Sequence, residues 1–231
     1  CSTENNLIRL EPSPTVPPPF IEENPDCPPS ERYKGISAVW KKPYLMVSAD
    51  GIEWRCLYDK PMDMEGTFDT INVGFWDTIK KVYRCYTRYF ERITENANEA
   101  DVLGEKPTVC RAIQSAESSD FIHWSKPVHN EYTDTLGETQ LYTNATIPCP
   151  GAEHIYLAFP NRYVQERIYK KDHPAPGCND ALFMTSRDGC SWSRFTEAWV
   201  RPGLDDLNWT DRNNYPVWGI VETSDTEWSM Y

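Results

Sequence analysis

Three carboxylates, Asp69, Glu138 and Asp211, stand at comparable points of successive stretches of this chain, each among arginine, asparagine and aromatic residues. Two carboxyl groups facing each other across a glycosidic bond, one protonated to assist the leaving oxygen and one ionised, are what hydrolysis of that bond requires. Arg88 and Arg162 end corresponding segments, Tyr-Thr-Arg88 and Pro-Asn-Arg162, and Arg111 follows on the next strand of its unit. Guanidinium groups aimed at a common pocket would hold sugar hydroxyls, a uronate or a sulfate through paired N–H donors, so an acidic or sulfated sugar is an expected ligand. The alternative is that they form ion pairs with neighbours such as Asp69 and shape the pocket without touching a ligand. Asn72, Tyr142, Asn144 and Arg212 complete the substrate-binding set. Trp76, Tyr142, Tyr215 and Trp218 offer flat faces to a pyranose, and alternation along a strand leaves about one of them in the pocket.

The elements that would position these residues announce themselves by repetition. Ser48-Ala-Asp50-Gly-Ile-Glu-Trp54, Ser118-Ser-Asp120-Phe-Ile-His-Trp124 and Ser186-Arg-Asp188-Gly-Cys-Ser-Trp192 share one pattern and start about 70 residues apart. In each copy the Asp can accept backbone N–H groups of its own turn, Gly tolerates positive φ in two of the three, and the Trp packs between neighbouring sheets. The motif is therefore structural, a turn that recurs once per unit.

Strands fill the space between the turns. Tyr33–Trp40, Tyr44–Val47 and Trp54–Tyr58 read as one set, Phe68–Trp76, Val82–Arg88 and Val109–Ser115 as the next, and Gln140–Thr146, His154–Phe159 and Asp180–Met184 as the third. Asn213–Val221 begins a fourth. The expected fold is all-β, a propeller of four-stranded antiparallel blades at 30–66, 67–137, 138–208 and 209–231, preceded by a Pro-rich, acidic arm or lead-in strand at 1–29. Three blades and the start of a fourth cannot close a ring, so the chain is expected to be a fragment of a larger propeller. In that architecture Asp69, Asn72, Arg88, Glu138 to Asn144, Arg162 and Asp211 to Asn214 meet on one face around the axis, opposite the Ser-x-Asp turns.

The Ser-x-Asp-Gly-x-x-Trp copies resemble the Asp-box turns of sialidases, which carry one more residue before the Gly. Asp69-Thr-Ile-Asn-Val-Gly-Phe-Trp-Asp77, Leu141-Tyr-Thr-Asn144 and Phe159-Pro-Asn-Arg162 resemble the five-bladed propellers related to glycoside hydrolase families 32, 43 and 117, over roughly residues 30–231. The Trp-Met-Asn-Asp-Pro-Asn segment diagnostic of family 32 is absent. The resemblance implies Asp69 as base or nucleophile, Glu138 as acid and Asp211 as an orienting carboxylate, in a glycosidase that needs no cofactor. A carbohydrate-binding propeller without catalysis and a scaffold that binds protein on the same face are the rival expectations.

Composition narrows the remaining classes. A chain of 231 residues with 39% hydrophobic and 13% aromatic content can build a core, while 19 Pro and 11 Gly interrupt it too often for long helices. A net charge of −12 repels a phosphate backbone, so nucleic acid is not an expected partner. No apolar run is long enough for a spanning helix. His123, His129, His154 and His173 lack a metal-ligand spacing and no Cys-x-x-Cys occurs, so no metal site is expected. The eight cysteines are either buried thiols in strands or disulfide partners. Cys1 followed by Ser-Thr-Glu-Asn-Asn is compatible with a processed lipoprotein start, and the expected location is extracellular, periplasmic or at the cell surface.

Overall fold

The computed structural model describes residues 9–11, 17–39, 41–69, 71–104, 106–168, 177–203, 205, 207 and 213–231. A first sheet is made of β1 (Arg9–Glu11), β2 (Phe20–Ile21), β3 (Tyr33–Val39), β4 (Lys42–Ser48) and β5 (Glu53–Cys56), in the order β1-β5-β4-β3-β2. A second contains β6 (Val73–Asp77), β7 (Val82–Arg92), β8 (Val109–Ser118) and β9 (Val128–His129), paired in sequence order. The third holds β10 (Glu131–Tyr132), β11 (Gln140–Leu141), β12 (Ile147–Cys149), β13 (Ala152–Ala158), β14 (Asn161–Val164), β15 (Cys178–Ser186) and β16 (Ser191–Val200). A hairpin, β17 (Val221–Ser224) with β18 (Glu227–Ser229), follows. The chain is all-β, a partial propeller of four-stranded antiparallel blades; β1 and β10 are added in parallel at the outer edges of the first and third sheets, and in the third two of the four strand positions are each interrupted, as β11 and β12 and as β14 and β13. Pro29–Glu31 and Glu99–Leu103 form 3-10 turns, and no helix among the described residues is long and apolar enough to cross a membrane.

The second sheet is buried on both faces, and alternation along its strands supplies both cores. Trp76, Tyr83 and Cys85 join Phe20, Ile36 and Phe121 against the first sheet. Phe75, Tyr86 and Ile113 join Leu141, Leu182 and Trp192 against the third. Among the described residues no disulfide forms, and Cys85, Cys110 and Cys178 are buried in the strands as thiols.

Local chemistry breaks several expected strands. Phe68–Trp76 pairs as a ladder only from Val73, because Ile71 takes a left-handed φ of 57° that turns the preceding residues out of the pleat; Thr70 lies outside the described residues. Of Gln140–Thr146 only Gln140–Leu141 pairs, as β11, and the chain resumes a strand, β12, at Ile147 after Ala145 with its φ of 43°. Pro160 has no N–H to donate and separates β13 from β14, so β15 pairs with each in turn. Asn213–Val221 is irregular up to Val221, where β17 begins.

The three Ser-x-Asp turns close the same way. Asp50, Asp120 and Asp188 each accept two backbone N–H bonds at Oδ1, from residues two and three further on, at 2.7–2.9 Å. The indoles of Trp54, Trp124 and Trp192 donate to the carbonyls of Gly51, Phe121 and Gly189. Those three carbonyl-bearing residues have φ of 78°, 66° and 82°, so Phe121 adopts a conformation that glycine reaches more easily, offset by its complete burial. The third turn is also clamped by the second sheet: Arg84 Nη1 donates to Asp188 O at 2.8 Å and Tyr86 Oη to Gly189 O at 2.9 Å.

These carboxylates make the fold acid-sensitive. Burial opposes ionisation of Asp188, but the N–H groups of Cys190 and Ser191 outweigh it and hold the carboxyl well below the usual range. A pKa lower in the folded chain gives stability that is complete above the unfolded value of about 4 and is lost as pH falls toward the folded one. Melting temperature is expected to fall between about pH 4 and pH 2. Asp188→Asn, which keeps an acceptor but does not titrate there, should flatten that slope in circular-dichroism melts. An identical acid slope in the variant contradicts the assignment.

Candidate functional site

Asp69 lies just before β6, where the ladder has been broken. Asn72 Nδ2 donates to its carbonyl at 3.0 Å, and Thr67 N donates to Arg88 O at 2.9 Å, tying this lead-in to the end of β7. Its carboxylate accepts the Tyr142 hydroxyl at 2.7 Å and Arg88 Nη1 at 3.3 Å, both at Oδ2. Arg88 is also held by the Thr67 carbonyl at 3.2 Å. The two ends of this ion pair differ in environment: the Arg88 side chain is 12% exposed and that of Asp69 is 43% exposed. The carboxylate is the open end.

Aromatic walls surround the pair. The guanidinium carbons of Arg88 and Arg111 each lie 5.0 Å from the Tyr142 ring centroid. Tyr215 meets Tyr142 edge to face at 5.8 Å and 87°. Register explains the arginine pair: Phe90 opposes Arg111 and Arg88 opposes Ile113 across β7 and β8, so both guanidinium groups leave the same face toward the third sheet. Burial, then the neighbouring Arg88, lowers the pKa of Arg111 from its ordinary value. Burial, then Asp69, raises that of Tyr142, which keeps its hydroxyl a donor.

Tyr215 is set by carboxamides that link the third sheet to the following segment. Asn161 Nδ2 donates to Asn214 O at 2.7 Å, Asn214 Nδ2 to Asn179 O at 3.1 Å, and Asn179 Nδ2 to both Asn161 Oδ1 and the Tyr215 hydroxyl. Asn161 and Asn179 were not among the candidate residues read from the sequence. Their signal is positional, since they oppose Ala181 and Tyr163 in the ladder that joins β14 to β15.

The other candidates are distributed more widely. Glu138 is exposed, on a cleft of about 320 Å³ shared with Gln140 and Tyr163. Gln140 Oε1 accepts the Arg111 backbone N–H at 3.1 Å, so that cleft adjoins the arginine pair. Arg162 is not part of the Asp69 cluster: it grips the fully buried Asp180 with Nε and Nη2 at 2.8 and 2.7 Å. Its role is the ion-paired alternative, because Leu141, Arg162 and Asp180 oppose one another in register on a buried face. Asn72 and Asn144 are buried and spend their amides on backbone, Asn144 reaching Tyr86 O at 3.2 Å. Trp76 is core and Trp218 is bound to Thr146 O, so two of the four aromatic candidates, Tyr142 and Tyr215, reach the site instead of one. Asp211 and Arg212 lie outside the described residues. Among the described residues no three His, Cys, Asp or Glu side chains gather as a metal site.

No protein-family model matches this chain, and no curated protein matches its sequence. Solved structures similar to it include an N-acetylgalactosamine deacetylase from F. plautii in complex with blood group B trisaccharide, at 14% identity and a TM-score of 0.49 over 75% of this chain and 51% of that one. A glycoside hydrolase matches at 16% identity and a TM-score of 0.47, over 74% of this chain and 50% of the other. The α-L-arabinofuranosidase Arb93A from Fusarium graminearum, an E242A mutant with an iminosugar inhibitor, matches at 13% identity and 0.44, over 74% and 45%. The chain spans about half the length of these proteins.

Proposed function

We propose that this chain is part of an exported carbohydrate-active hydrolase that cleaves a glycosidic bond of an oligo- or polysaccharide at the Asp69 cluster. The observation that carries this reading is one open carboxylate fixed by Tyr142 and Arg88 beside two tyrosine rings. Sugar rings bind on aromatic faces while their hydroxyls meet ionic hydrogen-bond groups, and this cluster offers both within one hydrogen-bonded set. Asp69 acts as base or nucleophile at the anomeric carbon. Glu138, exposed on the cleft that adjoins Arg111, supplies the proton that the leaving oxygen takes as the C–O bond breaks. Asp211 is the third carboxylate of the proposal, as an orienting group.

A second reading, carbohydrate binding without cleavage, is favoured by a specific observation: Asp69 is already engaged by a cation and a phenol, which also suits a fixed recognition group. One experiment separates them. The full chain is incubated with panels of plant and algal oligosaccharides, with released reducing ends and calorimetric binding measured on the same samples. Released sugar supports hydrolysis, and binding without release supports the second reading. A chain that neither binds nor cleaves any member refutes both.

A further inference from the structure

We propose that Arg111 is the anion-recognising residue of the Asp69 site, and that the sugar it receives carries a carboxylate or a sulfate. This rests on the carbohydrate reading above and names the class of substrate. Arg111 differs from the other guanidinium groups turned toward the interior. Arg84 has Glu117, at 3.7 Å from its Nε, Arg88 has Asp69, Arg162 and Arg167 have Asp180, and Arg194 has Asp134. Among the described residues no carboxylate pairs with Arg111, and its Nε is buried without a hydrogen-bond partner. A buried N–H of a cation left unsatisfied is costly, and an anionic oxygen is the partner that removes the cost.

The surroundings define what would approach. Among the described residues, the two guanidinium groups and one carboxylate of the cluster leave an excess positive charge, on a chain whose net charge is −12. Both guanidinium groups pack on the Tyr142 ring, which keeps them close together despite their repulsion. That repulsion, added to burial, is what lowers the Arg111 pKa, and an anion between or beside the pair relieves it. A planar guanidinium fork matches the paired oxygens of a uronate carboxylate or a sulfate ester, while Tyr142 and Tyr215 supply the apolar faces for the ring that bears the group. Asp69, held by the Tyr142 hydroxyl and by Arg88, then faces uncharged atoms of the same sugar while Arg111 takes its anionic substituent.

The test titrates the full chain with oligosaccharides of matched length that are neutral, uronate-bearing or sulfated, by calorimetry at low and high salt. One anionic set is expected to bind about tenfold to hundredfold more tightly than the neutral set, with the preference shrinking as salt rises. Which anionic set is preferred identifies the substituent. Arg111→Gln should abolish the preference, so that the variant binds the anionic and neutral sets alike, while Arg111→Lys keeps part of it. Equal binding of neutral and anionic sets by the parent chain overturns the proposal, as does an unchanged anionic preference in Arg111→Gln. Both of those results leave the carbohydrate reading intact so long as the neutral set is bound or cleaved. If no set is bound or cleaved, the reading itself fails and this inference falls with it. The Lys variant and unchanged near-ultraviolet dichroism separate lost recognition from lost folding.

Discussion

Asp69→Asn is expected to lower turnover of a cleaved oligosaccharide by about 10²–10⁴-fold, the usual contribution of a positioned acid or base. That range corresponds to about 3–5 kcal/mol of transition-state stabilisation. The substitution keeps the size of the side chain and an oxygen that can accept the Tyr142 hydroxyl, so the tyrosine wall stays in register. It removes the negative charge, and with it the group that would take a proton from water or attack the anomeric carbon. Folding should change little, because the Asp69–Arg88 pair has an exposed carboxylate and pairs of that kind contribute about 0–1 kcal/mol. The measurement is steady-state release of reducing ends, with binding of the intact oligosaccharide followed in parallel. A large fall in turnover with binding largely retained supports Asp69 as a catalytic residue. Unchanged turnover removes it from that role, and Glu138→Gln assayed beside it tests the proposed acid independently.

Asp180→Ala is the substitution expected to cost most in stability, about 3–5 kcal/mol. The carboxylate is fully buried and takes two bonds from Arg162, whose side chain is only 9% exposed, as well as one from Arg167. Without Asp180, Arg167 can turn into water because its side chain is 41% exposed. Arg162 is far less exposed, and its charge would remain in the interior with, among the described residues, the Thr196 carbonyl at 3.2 Å. Chemical denaturation checks this, and a loss below about 1 kcal/mol would show that the pair is not holding the third sheet. The same variant bears on function, since saccharide affinity in the folded fraction should persist if Arg162 serves the sheet and not the ligand.

The contrast between Arg162 and Arg88 marks the limit of reading a site from sequence. Tyr-Thr-Arg88 and Pro-Asn-Arg162 look equivalent, and both end a second strand of a unit. Their partners differ because Asp180 opposes Arg162 directly in the ladder, whereas Arg88 opposes Ile113 and finds its carboxylate across the turn at Asp69. Asn72 and Asn144 carried polar side chains at the right points, but each closes a backbone bond at a break in its inner strand, beside Ile71 and Ala145 with their left-handed φ. Short-range pattern reports that a residue is polar and where its unit begins. It does not report which hydrogen bonds a locally irregular backbone will demand of it.

The all-β class, the sheet count and the turn chemistry were legible because they depend on near neighbours. Strand periodicity, the density of Pro and Gly, and an Asp two and three residues ahead of the N–H groups it caps are all written within a few positions. The cluster was legible in part: Asp69, Arg88, Arg111 and Tyr142 come together, while Tyr215 joins through Asn214 and through asparagines 161 and 179, which no local pattern singled out. Which arginine is paired, and which has no carboxylate among the described residues, came from packing alone. Tyr142 and Asp69 are 73 positions apart, and only the stacking of one sheet on the next brings a phenol, two guanidinium groups and a carboxylate within reach of one another.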